Sequence, residues 1–297
     1  MDTNICAPHK YDSDNKTCFS TEQLLEMARA YNRYLTKTKL LPNKTTKNIS
    51  SDLIKIKTDK PYLLHELLSR FETVCDSEVC LTKQSFMNEI VKEMRDEFEN
   101  DTFRHEGPSD PTEWLNTTDI GKIVKQYEKI YPNFKFLGAV PLNCNDLSFC
   151  SLYKLDYNDY VKKNIKYLGM VFNHDRHGET GSHWVSLFID IPKGEINYCD
   201  STGKNPIANI NDVIKQFISY HEKKTGKKAI YKYNTKPYQK DASECGVYSA
   251  NFIIRRLAGE NFDTTIKDSL DFREINSCRN VYFRNKPSKY TPPQNKC

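Results

Sequence analysis

The 297-residue sequence contains no apolar stretch near the roughly 20 residues that a membrane-crossing helix needs. Residues 1–18 are polar and lack the apolar centre of a secretory signal, so the chain is expected to be made in the cytosol and kept there or packaged from it. Glycine is scarce, with 11 residues, and proline moderate, with 13, which excludes collagen-like and low-complexity architectures. Charge of one sign is also missing: 44 basic residues face 39 acidic ones, a net of +5. A dedicated nucleic-acid binder carries a stronger basic excess on one element, so nucleic acid is a weakly supported partner. No internal repeat is visible. The 38% hydrophobic and 28% charged residues describe a globular chain on the polar side.

Ten cysteines are present. In a long chain without a secretion signal they are expected to be reduced. The spacings of Cys75/Cys80 and Cys144/Cys150 are wider than those of structural zinc sites, and no histidine pair completes a ligand set. His174 and His177 are expected in a loop. No metal or organic cofactor is predicted.

The periodicity changes along the chain. Ser20 with Gln23 forms a capping-box pattern opening an amphipathic helix to about Lys37, with Leu24, Met27, Ala28, Tyr31 and Leu35 on one face. Thr36 to Lys60 is polar, with little hydrophobic period, and is read as a linker or exposed loop. Pro61 opens a second helix through Leu63, Leu64, Leu67, Leu68 and Phe71. A third is predicted from about Lys83 to Phe98, carrying Phe86, Ile90, Val91 and Met94. The polar loop around Gly107 to Pro111 marks a boundary between a helical N-terminal region, 1–110, and the remainder, 111–297.

A helix near Thr118 to Tyr131 follows, and then strands cluster. They are predicted at Phe136–Val140, Tyr167–Phe172, His183–Ile189, Ile196–Cys199 and Ala229–Tyr233, with helices at Asp212 to about Thr225 and Cys245–Leu257. Asp263 to Phe283 reads as mostly helical. The His183–Ile189 segment is apolar on both faces, as in a buried central strand. The fold class is α+β.

Four residues carry candidate chemistry. Polar turn-formers run directly into the helical pattern Val247, Ala250, Ile253, Ile254 and Leu257, which puts Cys245 at a helix N-terminus. The partial positive charge there stabilises a thiolate, and Gly246 permits another chain to approach closely. His183 stands at the mouth of the buried strand, where its ring faces a cleft that Trp184 can cover. Asp200 ends the next strand; if the two strands are antiparallel neighbours, their ends bring His183 and Asp200 together, and the carboxylate fixes the imidazole. Gln239, six residues before Cys245, can donate to an oxyanion together with the Cys245 N–H. Each of these residues also has an ordinary structural explanation: a small buried thiol, a satisfied histidine, a turn aspartate, a loop glutamine. Their combination and order favour the chemistry.

His183-Trp184, then Asp200-Ser201, then Gln239-x5-Cys245-Gly246, resembles the ubiquitin-like-protein protease and adenovirus-protease superfamily of cysteine peptidases. The resemblance covers residues 166–257. Glu244 departs from the aspartate that cellular members commonly carry before the cysteine, and points to viral members. Cys75-Asp-Ser-Glu-Val-Cys80, and the segment from Thr17 through Ala30-Tyr31-Asn32, resemble the polyprotein-processing proteases of African swine fever virus and giant viruses. The resemblance implies a papain-like catalytic domain with a central mixed sheet behind the helical region. It implies a cysteine endopeptidase with Cys245 as nucleophile, His183 as base, Asp200 as its orienter and Gln239 in the oxyanion hole, with Trp184 lining the substrate cleft. It further implies cleavage after small residues such as glycine in a viral polyprotein or core protein, within the virion or the viral factory of the host cytoplasm. Alternatives are a deconjugating protease acting on ubiquitin-like modifiers, and a catalytically idle binding module. Adenovirus protease uses DNA as a cofactor, so the basic run from Lys37 to Lys60 makes nucleic acid a conceivable activator, though that run has few aromatics for stacking.

Overall fold

The computed structural model describes residues 5–10, 12–39, 52–148, 150, 152–241 and 243–297. The chain separates into two units, Met1–Arg104 and His105–Cys297.

In the first unit, helix α1 (Thr21–Lys39) opens on the predicted reciprocal cap: Gln23 N–H donates to Ser20 Oγ at 3.2 Å, and Ser20 N–H to Gln23 Oε1 at 2.9 Å. Leu24, Met27 and Ala28 are buried. Helix α2 (Lys60–Phe71) is capped by Asp59 and carries Pro61 in its first turn, with Leu63 and Leu67 inward. The segment read as a linker is only partly so. Residues 36–39 belong to α1, and 40–51 lie outside the described residues. Ile54 is buried, with both its N–H and its C=O bonded to the Asn32 side chain at 2.9 Å.

The predicted third helix is not continuous. A short helix α3 (Glu78–Thr82), a 3-10 turn (Ser85–Glu89) and helix α4 (Lys92–Thr102) replace it. Gln84 is extended there, and its side-chain N–H groups donate to the Cys80 carbonyl at 3.0 Å, which ends α3. Phe86, Met87 and Ile90 then turn inward, whereas Val91 and Met94 of the predicted stripe are exposed.

In the second unit, helix α5 (Thr117–Lys125) begins at an Asn116–Asp119 capping box. Strand β1 (Phe134–Val140), helix α6 (Tyr157–Lys162), and strands β2 (Tyr167–Asn173), β3 (Trp184–Asp190) and β4 (Glu195–Cys199) follow. Next come helix α7 (Ala208–Thr225), strand β5 (Ile230–Tyr233), helix α8 (Cys245–Leu257), and three short helices: α9 (Phe262–Lys267), α10 (Phe272–Ser277) and α11 (Arg279–Tyr282). The five strands pair in sequence order. β1/β2 and β4/β5 are parallel, and β2/β3 and β3/β4 antiparallel, which makes the sheet mixed.

Strand alternation gives the sheet two buried faces. Leu168, Met170, Phe172, Val185, Leu187 and Ile189 pack with Ile210, Val213, Ile214 and Phe217 of α7. Val171, Trp184 and Phe188 point the other way, into a cluster with Ile120 and Val124 of α5 and Val247, Ala250 and Ile253 of α8. Every residue of β3 is buried, as a central strand between two helical layers requires.

The expectation of reduced cysteines is overturned. Cys6–Cys18, Cys75–Cys80, Cys144–Cys150 and Cys278–Cys297 are disulfides, and only Cys199 and Cys245 are free. The Cα separations, 5.1 to 5.5 Å, are those a disulfide requires. The expectation rested on compartment; the backbone turns decide proximity. Among the described residues no group of three His, Cys, Asp or Glu side chains converges as metal ligands.

Candidate active site

Antiparallel pairing of β3 and β4 aligns Ser186 with Cys199, so the residues just outside this register, His183 and Asp200, meet at one end of the sheet. His183 Nε2 lies 2.7 Å from Asp200 Oδ1. That leaves Nδ1 free of Asp200, and the Cys245 side chain is near enough to act on the ring. Cys245 is the first residue of α8 and is buried. Cys245, His183 and Asp200 thus converge at this end of the sheet.

Burial works against a charged His183 ring. The hydrogen bonds and charges of Asp200 and Cys245 outweigh it and push its pKa up to about 9. Burial would likewise raise Asp200, which is fully buried, but the His183 hydrogen bond and charge and the Thr202 donors hold it below the usual carboxylate range. Thr202 N–H and Oγ1–H both reach Asp200 Oδ1, at 2.7 and 2.8 Å. Asn234 secures the same turn from behind, accepting from Asp200 N–H and donating to its C=O. His174 stacks edge-on to His183 with ring centroids 5.1 Å apart; burial, then the neighbouring imidazolium, lower its pKa and keep it neutral.

Gly203 brings Gln239 to this end of the sheet. Its φ of +72° closes the Asp200 turn, and a Cβ there would lie 2.7 Å from the backbone of Lys236 and Pro237. The segment following β5 thus crosses against the turn, and Tyr238 and Gln239 N–H both donate to the Ser201 carbonyl at 3.0 Å. Gln239 Oε1 accepts from Ser201 Oγ at 2.5 Å, and Nε2 donates to Asp241 C=O at 2.7 Å. The second Nε2 hydrogen has no acceptor among the described residues and is available to a ligand.

Trp184 is buried, and its Nε1–H donates to Leu115 C=O at 2.9 Å. A Cβ on Gly246 would stand 3.0 Å from Leu115 and 3.4 Å from the Trp184 ring, so glycine is what lets the start of α8 sit this close. Trp184 also lines a groove of about 520 Å³ whose other walls include Trp114, Ala139, Pro141 and Gly181. Trp114 is 44% exposed. It lies in a polar loop without periodicity, and no feature of its sequence singled it out.

A second ion pair, invisible in the sequence, flanks the cysteine. Glu244 and Arg279 are both fully buried: Arg279 Nε donates to Glu244 Oε2 at 3.1 Å, and Asn276 Nδ2 to Oε1 at 2.9 Å. Arg279 also donates to Glu113 C=O. Glu244, the residue before Cys245, is thus held fixed by partners on α10 and α11.

A family model described as the Ulp1 protease family, C-terminal catalytic domain, matches residues 156–284. A thiol protease of Acanthamoeba polyphaga mimivirus is 56% identical over 97% of this chain and 96% of its own length. This chain belongs to the Ulp1 protease family. It is a cysteine protease. A SUMO-1 cysteine protease of African swine fever virus is 25% identical over 74% of this protease and 88% of its own length. The crystal structure of an African swine fever virus protease shares the fold, with a TM-score of 0.65 at 18% identity, covering 98% of this protease and 97% of that chain.

Proposed function

We propose that this protease is an endopeptidase that cuts after small residues, glycine foremost, in a viral structural polyprotein or core protein. The observation that supports the catalytic assignment is the His183 ring, hydrogen-bonded to Asp200 and near enough to Cys245 for both to raise its pKa, with Gln239 tied to the Asp200 turn through Ser201. His183 accepts the Cys245 proton, and the sulfur attacks the scissile carbonyl carbon. The carbonyl oxygen becomes an oxyanion held by Gln239 Nε2–H and the Cys245 N–H. Collapse breaks the C–N bond, and imidazolium His183 protonates the departing amine, leaving a thioester. Water, deprotonated by the same ring, attacks the thioester; the carboxylic acid leaves and the thiol is restored.

Small residues before the cut are what the resemblance to the family implies; the groove lined by Trp114 and Trp184 is a candidate for the substrate chain. The mimivirus and African swine fever virus relatives support a viral role. Disulfides are rare in a reducing cytosol, so four of them favour a particle-borne enzyme over one confined to the host cytoplasm. A second reading, deconjugation of ubiquitin-like modifiers, is favoured by the name of the African swine fever virus relative, a SUMO-1 cysteine protease. The idle-module reading is disfavoured by the protease relatives and by the His183–Asp200 pair kept beside Cys245.

Two electrophiles separate the readings, each applied to the protein and to Cys245→Ser: a Gly-Gly peptide with a reactive C-terminus, and a ubiquitin-like protein with one. Labelling by the peptide alone, lost in the variant, supports the polyprotein endopeptidase. Efficient labelling by the modifier favours deconjugation. Labelling that persists in the variant overturns the assignment of Cys245.

A further inference from the structure

Asp200 and Ser201 are consecutive, yet they face the two halves of the reaction. Asp200 holds the base. Ser201, only 3% exposed, makes every one of its described side-chain and carbonyl contacts with the Tyr238–Gln239 segment. Its hydroxyl donates to Gln239 Oε1 at 2.5 Å, and its carbonyl accepts the Gln239 N–H at 3.0 Å. The first contact occupies the acceptor end of the amide, the second fixes the backbone that carries it. With Asp241 C=O taking one Nε2 hydrogen at 2.7 Å, the amide can face only one way. Rotated by half a turn, it would set Oε1 against the Asp241 carbonyl and offer an oxygen, not a donor, to a developing oxyanion.

We propose that Ser201 is a positioning residue for this reaction, which holds Gln239 so that its Nε2–H points at the tetrahedral oxyanion. The inference rests on the reading of Gln239 as an oxyanion donor. Ser201 touches neither substrate nor sulfur; it acts through Gln239. A donor misaligned by even a small angle gives up much of its advantage, since only a preorganised dipole stabilises the transition state without reorganising. One turn, Asp200–Gly203, thereby sets the base and the oxyanion donor in a single frame: Asn234 braces its backbone, and Gly203 admits the crossing segment.

The test is a double-mutant cycle on Ser201→Ala, Gln239→Ala and the pair, with two readouts: cleavage of a fluorogenic peptidyl-Gly-Gly amide, and alkylation of Cys245 by iodoacetamide. Cleavage needs the oxyanion hole; alkylation needs the thiolate alone. Ser201→Ala is expected to lower kcat roughly tenfold with KM changed less than about twofold, because the lost contact matters only in the transition state. Alkylation is expected to stay within about twofold. In the Gln239→Ala background the serine substitution should cost less than about twofold more. Ser201→Cys, of similar volume and weaker as a donor, should fall between the two and replaces Ser201→Ala if that variant does not fold. Equal losses in both backgrounds, or alkylation slowed in step with cleavage, overturn the proposal while leaving Gln239 in its role. An unimpaired Gln239→Ala overturns the oxyanion assignment, and the positioning role falls with it.

Discussion

Two ion pairs flank Cys245, and they are built for opposite purposes. His183–Asp200 keeps 14% of its imidazole accessible, while Glu244–Arg279 exposes nothing on either side. The first pair can exchange a proton with a substrate; the second is enclosed by α10, α11 and the chain before α5, and its role is to hold the start of α8 in place. The same elementary contact, a carboxylate against a cation, thus serves chemistry when one partner is an imidazole that stays accessible and scaffolding when both partners are fully buried.

Substitutions should separate the two pairs. The largest effect is expected from Cys245→Ser, which should remove measurable turnover while leaving the thermal midpoint nearly unchanged. Asp200→Asn should lower kcat by roughly 10²–10⁴, since the imidazole loses both its orientation and its counter-charge. Gln239→Ala should cost on the order of 10² in kcat. Arg279→Met should invert the pattern. Denaturant unfolding should show a loss of about 3–5 kcal/mol, because Glu244 would be left buried without its cation, whereas kcat of the folded fraction should fall far less. A variant at Arg279 that retained full stability would erase the distinction between the pairs.

The smallest effects are in the pH profile. His183, held at about 9, lies above its unfolded value, so its pair contributes fully below pH 6.5 and is lost as pH rises through about 9. Asp200 lies below its ordinary 3.8, so its contribution is present above that value and disappears as pH falls through its lower folded value. The alkaline limb of kcat/KM is expected near 9, where the leaving amine loses its acid. Asp200→Asn should move that limb to lower pH. A limb that stays put would separate the ring's titration from its partner.

How much of this was legible in the sequence depends on how local each signal is. Strands β2 and β3 and helix α8 announced themselves by apolar period. The four candidate site residues did so by chemical type in a fixed order, and the antiparallel register brought His183 and Asp200 together as the adjoining strand ends implied. Arg279, by contrast, lies 35 residues from Glu244, and neither residue carries a mark of the other. The third helix failed because Phe86 and Ile90 look helical by spacing, yet Gln84, tied to Cys80, ends the turn first. The disulfides were misread because the expectation rested on compartment, whereas the backbone turns decide which cysteines come within reach. Ser201 was visible only as the neighbour of Asp200.

The cysteine inventory has a practical corollary. Eight of the ten cysteine sulfurs are in disulfides, and the Cys199 thiol is pushed up to about 12 by burial and shares a hydrogen bond with Tyr238. An electrophile added to the oxidised native protein therefore has one sulfur to consume. The mass of a single adduct per chain becomes a stoichiometric count of competent molecules in any preparation, with no substrate required.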